Sequence, residues 1–367
     1  MPHPPPDPRC IALVLQGGGA LGSYQAGVYE ALAGADYLPD WVAGISIGAI
    51  NAALIVGNPP ADRVAKLAAF WEGITAPSAC LPAAFQRRTG ALGAIAFGQP
   101  GFFRPRTPLE MLPSNRPPSL YDTSALKTTL ERLVDFDRIN AGPTRLSVGA
   151  VHLRTGNFAY FDSATTKLRA EHIMASGALP PGFPAVEIDG EQYWDGGLVS
   201  NTPLAHVIET LPRSSRLIFQ VDLYSARGEL PTTMDEVGAR LKDIRYSSRT
   251  RAVSDGERHT QDVRHNINAL LSKLPPELRA LPEAEFLYHC GCPSTMDIVQ
   301  LIYRPAQPHG QSKDYEFSRA TMRERWDQGR ADGETTLRAA PWLVPMPPEL
   351  GARSHDVVFE QQRRAKK

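Results

Sequence analysis

The sequence is poor in cysteine, with only Cys10, Cys80, Cys290 and Cys292 among 367 residues. Their spacing does not form a disulfide framework, so a reducing compartment is the simpler reading. Cys290-Gly291-Cys292 follows His289, but the second ligand pair of a structural zinc site is missing, and idle or buried thiols are the better account. No calcium-type ligand spacing occurs either, and no metal or cofactor is expected. An excess of charge is also lacking: 39 basic side chains balance 39 acidic ones, which leaves no global field for nucleic acid or for a cationic partner. Long apolar runs are absent too. The longest, residues 43–57, is interrupted by Ser46 and Asn51 and falls short of the roughly 18 residues a membrane span needs. Residues 1–8 lack the basic start and apolar stretch of a signal peptide. A cytoplasmic protein is expected, with peripheral membrane contact left open.

What is present is an ordinary globular composition, 42% hydrophobic and 21% charged, with ample length for a large core. No internal repeat is visible. Residues 1–10 read as a disordered N-terminal segment. The apolar run at 11–15 reads as a buried strand, 20–33 as a helix, 41–45 as a second strand, with helices after Ser46 and over 61–73. This β-α-β-α alternation implies a parallel sheet covered by helices on both faces. Residues 76–119 are rich in proline and break the rhythm. The apolar piece 91–98 and Phe102-Phe103 inside them are expected to form a lid or an acyl-chain wall, with an insertion into the core as the alternative.

Regular structure resumes with a helix start at Asp122-Thr123-Ser124, strands over 146–153 and 158–161, and a helix near 171–175. A hairpin turning at Asp189-Gly190 follows, then a strand over 216–223. Residues 233–273 read as largely helical, interrupted near Asp255-Gly256. Arg240, Arg245, Arg249 and Arg251 there could face anionic lipid, but nearby Asp235, Glu236, Asp243 and Glu257 favour a solvated face. A late strand over 297–303 and a last helix over 318–339 complete the pattern, with 351–367 as a basic tail. Residues 11–210 form the first unit, and 211–350 either complete its sheet or cap it.

The chemistry concentrates in three glycine-bearing segments. Gly44-Ile45-Ser46-Ile47-Gly48 lies between a strand and a helix, the context of a nucleophile elbow, in which a serine stands exposed on a sharp turn. Gly17-Gly18-Gly19-Ala20-Leu21-Gly22 lies between the first strand and the first helix. Consecutive glycines and a helix N-terminus make a cradle for an oxyanion or a phosphate. Gly17-x-Gly19-x-x-Gly22 also fits a dinucleotide fingerprint, but the acidic residue that should end the second strand is replaced by Ser46. The third segment is Asp195-Gly196-Gly197, a candidate base next to a tight turn; alone it would be a plain turn. Histidine is the usual partner of a catalytic serine. His206, His259, His265, His289, His309 and His355 follow Asp195, but none stands in a distinctive motif. Ser124-Ala125-Leu126-Lys127 matches Ser-x-x-Lys without its companion motifs, and a helix-capping role for Ser124 explains it better.

These three segments, together with residues 175–184 (Ala-Ser-Gly-Ala-Leu-Pro-Pro-Gly-Phe-Pro), resemble the patatin-like phospholipases in kind and order. The resemblance covers roughly residues 11–210. It implies an α/β fold of patatin type, three layers with a mostly parallel central sheet, plus a largely helical C-terminal region. It further implies a Ser–Asp dyad acting on lipid acyl esters: Ser46 as nucleophile, Asp195 as base, Gly17, Gly18 and Gly19 as oxyanion hole, and Gly44, Gly48, Gly196 and Gly197 as supporting turns. Many relatives carry Arg or Lys where this chain has Leu21, which makes a charged phospholipid headgroup less secure. A carboxylesterase or acyltransferase on another acyl substrate is the alternative enzyme. An inactive lipid- or nucleotide-binding module is the alternative outside enzymes, and it would need neither Ser46 nor Asp195.

Overall fold

The computed structural model describes residues 9–75, 83–111, 117–305 and 310–365. Its strands are β1 (Cys10–Leu15), β2 (Trp41–Ile45), β3 (Arg104–Pro105), β4 (Tyr121–Asp122), β5 (Arg145–His152), β6 (Phe158–Asp162), β7 (Val186–Ile188), β8 (Glu191–Asp195), β9 (Arg216–Asp222), β10 (Met296–Ile302) and β11 (Ala352–His355). Nine of them form one sheet, and β3 and β4 form a separate pair. In the order β11-β10-β9-β1-β2-β5 all neighbours are parallel, and β6, β8 and β7 add antiparallel pairings beyond. The expected three-layer α/β/α fold with a mostly parallel sheet is therefore present.

Strands covered on both faces read as unbroken apolar runs, and β1 illustrates why. Ile11, Leu13 and Leu15 enter one core with side chains of the helices Ser23–Gly34, Ile47–Val56, Arg63–Ile74 and Arg319–Ala339. Ala12 and Val14 enter the opposite core with Leu204, Val207 and Ile208 of the helix Leu204–Glu209. The Asp189-Gly190 hairpin is formed by β7 and β8, with both turn residues at positive φ (51° and 85°), as such a turn requires.

The C-terminal third completes the sheet, since β9 lies directly beside β1 and β10 beside β9. Three details differ from expectation. The helix Met234–Lys273 runs through Asp255-Gly256 without a break. One interior glycine costs only about 1 kcal/mol, and the Thr233–Glu236 capping box secures the start. Residues 352–365 are not a tail, because β11 pairs with β10 and a helix covers Val357–Ala365. Buried Asp297 on β10 anchors the end of the chain, accepting from Arg353 and from His355 Nε2 at 2.7 Å, while Arg304 pairs bidentately with Asp356. At the other terminus Arg9 donates to the same Asp297 at 2.6 Å and Cys10 opens β1. Residues 1–8, also expected to be disordered, lie outside the described residues.

The helix Arg319–Ala339 packs backbone to backbone on the helix Ser23–Gly34. A methyl on Gly27 would collide with the Trp326 carbonyl, and one on Gly329 with the Tyr24 carbonyl. Backbone cannot step aside as a side chain can. Gly329→Val is expected to destabilise the fold by about 3 kcal/mol or more, read as a lower urea midpoint; an unchanged midpoint would contradict this packing.

Candidate active site

The two candidate side chains meet because two strands share one edge of β5. Along that edge β2 pairs parallel from Arg145 to Gly149, where Ile45 is the last partner. The antiparallel β8 takes over at the next position, with Ala150 opposite Asp195. Since β6 pairs with residues 147–151 of β5 as well, it occupies the other edge. The end of β2, continuing into Ser46, and the end of β8, Asp195, therefore converge on one point of the sheet.

Ser46 has φ 56° and ψ −122°, a conformation that a residue with a side chain holds only when its surroundings impose it. Those surroundings are backbone. A methyl on Gly44 would strike the Gly48 carbonyl, and one on Gly48 the Leu15 carbonyl of β1. The Ser46 N–H donates to Ser176 Oγ at 3.0 Å, and that hydroxyl donates to the Gly149 carbonyl at 2.6 Å. Ser176 thus pins the elbow to β5. Its residue lay in plain view in the 175–184 block, but no spacing rule gave it this task.

Asp195 is buried, 2% exposed. One carboxylate oxygen accepts from Gly197 N–H at 2.7 Å, and the nearby Ser46 side chain also favours the charged form. Burial outweighs both influences and pushes the carboxyl up to about 7.

The glycine loop is held from several directions. Gly17 N–H donates to the Asn201 carbonyl at 3.1 Å, and Asn201 Nδ2 returns a bond to the Gly17 carbonyl at 2.9 Å. Gln16, fully buried, accepts from the N–H groups of Leu223 and Tyr224 at 2.6 and 3.1 Å, which ties β1 to the end of β9. Behind it runs a buried chain in which Trp71 donates to Asn51, Asn51 to Gln25, and Gln25 to the Gln16 carbonyl. Gly17, which the family resemblance sets with Gly18 and Gly19 in an oxyanion hole, has its N–H committed to Asn201. Among the described residues the N–H groups of Gly18 and Gly19 have no protein acceptor, and all three glycines line the same cavity as Ser46 and Asp195. Gly196 and Gly197 follow in a short 3-10 turn beside β5 and Asn201.

That cavity measures about 350 Å³ and is mainly apolar. Phe102, Phe103, Phe183 and Phe317 form a mutually packed aromatic wall with Tyr121. Tyr224, Tyr246, Tyr315 and Asp314 line another part. Ala94 and Ile95 also contribute. The proline-rich stretch is thus partly regular, with a helix over Ala83–Phe97, and it forms wall. Its residues 76–82 and 112–116 lie outside the described residues.

The rival groups are elsewhere. No histidine lines this cavity among the described residues. His206 contacts Asp162, His265 the Pro348 carbonyl, and His355 Asp297. His259 and His289 line a separate groove with Cys290, and His309 lies outside the described residues. No cluster of three metal-ligating side chains occurs among the described residues. Ser124 is the first helical residue and donates to Asp122, so Asp122 rather than Ser124 satisfies this helix start, while Lys127 pairs with Glu171 at 2.7 Å. Arg240 donates to the carbonyls of Ser225 and Ala226 rather than facing outward, and Arg245 lies over Tyr246. The side chains of Arg249 and Arg251 lie outside the described residues. No described helix is long and apolar enough to cross a membrane.

Two family models match the chain: Patatin-like phospholipase over residues 13–208 and Patatin phospholipase over residues 244–349. No curated protein matches it. Solved structures similar to it include VipD from Legionella pneumophila, at 14% identity over 98% of this chain and 74% of that one, TM-score 0.39. A second is the ExoU–SpcU complex from the type III secretion system of Pseudomonas aeruginosa, at 18% identity over 90% and 52%, TM-score 0.33. A third is human GIVD cytosolic phospholipase A2, at 12% identity over 90% and 59%, TM-score 0.39. The chain thus spans little more than half the length of the last two.

The raised Asp195 carboxyl has a consequence for stability. Between the free aspartate value of 3.8 and about 7 the folded chain holds a proton that the unfolded chain has released, so stability falls as pH rises through this window and levels off above it. Asp195→Asn has no such dependence. It is expected to match wild type near pH 4 and to exceed it by up to about 4 kcal/mol at pH 8. Urea unfolding at both pH values checks this, and a difference that does not grow with pH would refute it.

Proposed function

Since this chain belongs to the patatin-like phospholipase family, we propose that it is a lipid acyl hydrolase working through Ser46 and Asp195. The observation that carries the reading is the strained Ser46 beside the buried Asp195 carboxyl in a cavity walled by phenylalanines. A module that only binds would need neither the strain nor the buried charge.

Ser46 Oγ attacks the ester carbonyl carbon as Asp195 takes its proton. The oxyanion is stabilised by the Gly18 and Gly19 N–H groups, with Gly17 shaping the loop through Asn201. Collapse of the tetrahedral species returns the proton to the leaving alkoxide and leaves an acyl group on Ser46. Water, deprotonated by Asp195, then releases the fatty acid and restores the hydroxyl. The wall of Phe102, Phe103, Phe183 and Phe317 suits an acyl chain. A carboxylesterase acting on a neutral acyl substrate is the second reading. Leu21 puts no cation in the glycine loop, and Lys242 beside the tyrosine-lined part is committed to Asp314 at 2.6 Å.

The cavity mouth also favours contact with a lipid surface. Ile95 and Leu179 are both cavity-lining and exposed. Leu92 and Phe97 on the same helix and Leu120 are exposed as well, and Tyr121 and Leu120 tie these segments together through bonds to Ile95 and Pro181 carbonyls. An apolar rim continuous with an apolar cavity lets an acyl chain pass without crossing water.

Three outcomes test the proposal. Ser46→Ala and Asp195→Asn, both folded, should each lower ester hydrolysis by about a thousandfold or more; substantial activity in either would overturn the dyad. Because the base acts ionised, kcat/KM should fall about tenfold per pH unit below about 7; a flat profile down to pH 5 would contradict a buried carboxylate base. Leu92→Asp with Phe97→Asp should reduce hydrolysis of lipid in vesicles while sparing a soluble short-chain ester; equal effects on both would remove the lipid-surface role of the rim.

A further inference from the structure

We propose that Arg325 is a positioning residue for the oxyanion, clamping the glycine loop and placing a buried positive charge behind it. Its catalytic half rests on the hydrolase reading above.

Arg325 lies on the helix Arg319–Ala339 and is 0% exposed. Its guanidinium donates to the Ala20 carbonyl at 2.9 Å, the Glu316 carbonyl at 3.2 Å and the Lys313 carbonyl at 2.9 Å. None of these bonds goes to a carboxylate, and its Nε is buried without a partner among the described residues. A buried cation held only by carbonyl dipoles is costly for the fold, and such departures concentrate at functional sites. The position of the charge supplies a function. Ala20 follows Gly18 and Gly19 directly, and its N–H donates to the Asp314 carbonyl at 2.8 Å. Both backbone groups of Ala20 are therefore tied to one assembly, segment 313–316 together with Arg325, and this fixes where the two preceding N–H groups point. The stem of Arg325 is itself fixed, because Gly329, one turn further on, packs against the Tyr24 carbonyl. At the cavity wall burial raises the Tyr224 phenol strongly, Asp314, Tyr246 and Asp243 add to the rise, and Arg325 is the one influence that opposes it, the smallest of the five. In so dry a setting a fixed positive charge favours an anion developing at Gly18 and Gly19.

The test compares wild type with Arg325→Met, which keeps the stem and removes the charge, and Arg325→Lys, which keeps the charge and part of the bonding. Three quantities are read: kcat and KM on a p-nitrophenyl ester, labelling of Ser46 by a fluorophosphonate, and amide deuterium exchange over residues 17–24. The expected result is a kcat lowered about tenfold or more in Arg325→Met and less in Arg325→Lys, with KM within about threefold and faster exchange in both. Unchanged kcat and unchanged exchange in the folded variants would overturn the proposal. If Arg325→Met does not fold, Arg325→Lys decides on the same criteria. If wild type itself is neither labelled nor active, the hydrolase reading has failed, and exchange over 17–24 alone decides whether Arg325 is the clamp.

Discussion

One edge of β5 governs the site. Parallel β2 uses it as far as Gly149 and antiparallel β8 uses it from Ala150, so a change of strand direction occurs at a single residue step. Ser46 leaves the sheet just past the first pairing and Asp195 sits in the second. Ser176, bonded to both Ser46 N–H and the Gly149 carbonyl, closes the junction. Ligand sites at the carboxyl ends of parallel strands are general in such sheets. Here the antiparallel partner brings the Asp195 carboxyl to Ser46 from a segment nearly 150 residues away in the chain.

The junction is held against its own energetic preferences. Ser46 sits at positive φ, Asp195 is buried, and the hydrogen bonds of buried Arg325 among the described residues go to carbonyls. Each is unfavourable taken alone. Each is offset by rigid surroundings: backbone packed against Gly44 and Gly48, the buried Trp71–Asn51–Gln25–Gln16 chain, and two helices in glycine-mediated contact. The raised Asp195 carboxyl also removes a simple diagnostic. A carboxylate base would ordinarily sustain activity into acid, but burial brings its titration to about 7, where histidine titrates, so pH alone does not distinguish the two bases.

Much of this was legible in the sequence because the informative features are local. The apolar runs of β1, β2, β5, β9 and β10, the Asp189-Gly190 turn and the three glycine segments each announce themselves within a few residues. What stayed hidden depends on pairings between distant segments. The commitment of Gly17 N–H to Asn201 involves two segments some 180 residues apart, and the bond from Arg325 to Ala20 spans 305 positions. No periodicity encodes either. The strand and helix at 352–365 escaped notice for a similar reason: short and charged, they are held by Asp297 and Arg304, partners supplied by another strand and the loop after it. The continuous helix through Gly256 reflects capping and packing outweighing a weak local propensity.

The most direct test of the central claim is to quench wild-type protein during turnover of a long-chain ester and map the acyl group by mass spectrometry. The account predicts a single acyl adduct on the peptide carrying Ser46, which vanishes in Ser46→Ala together with turnover. Turnover that persists in Ser46→Ala, or an adduct confined to another residue, would contradict it.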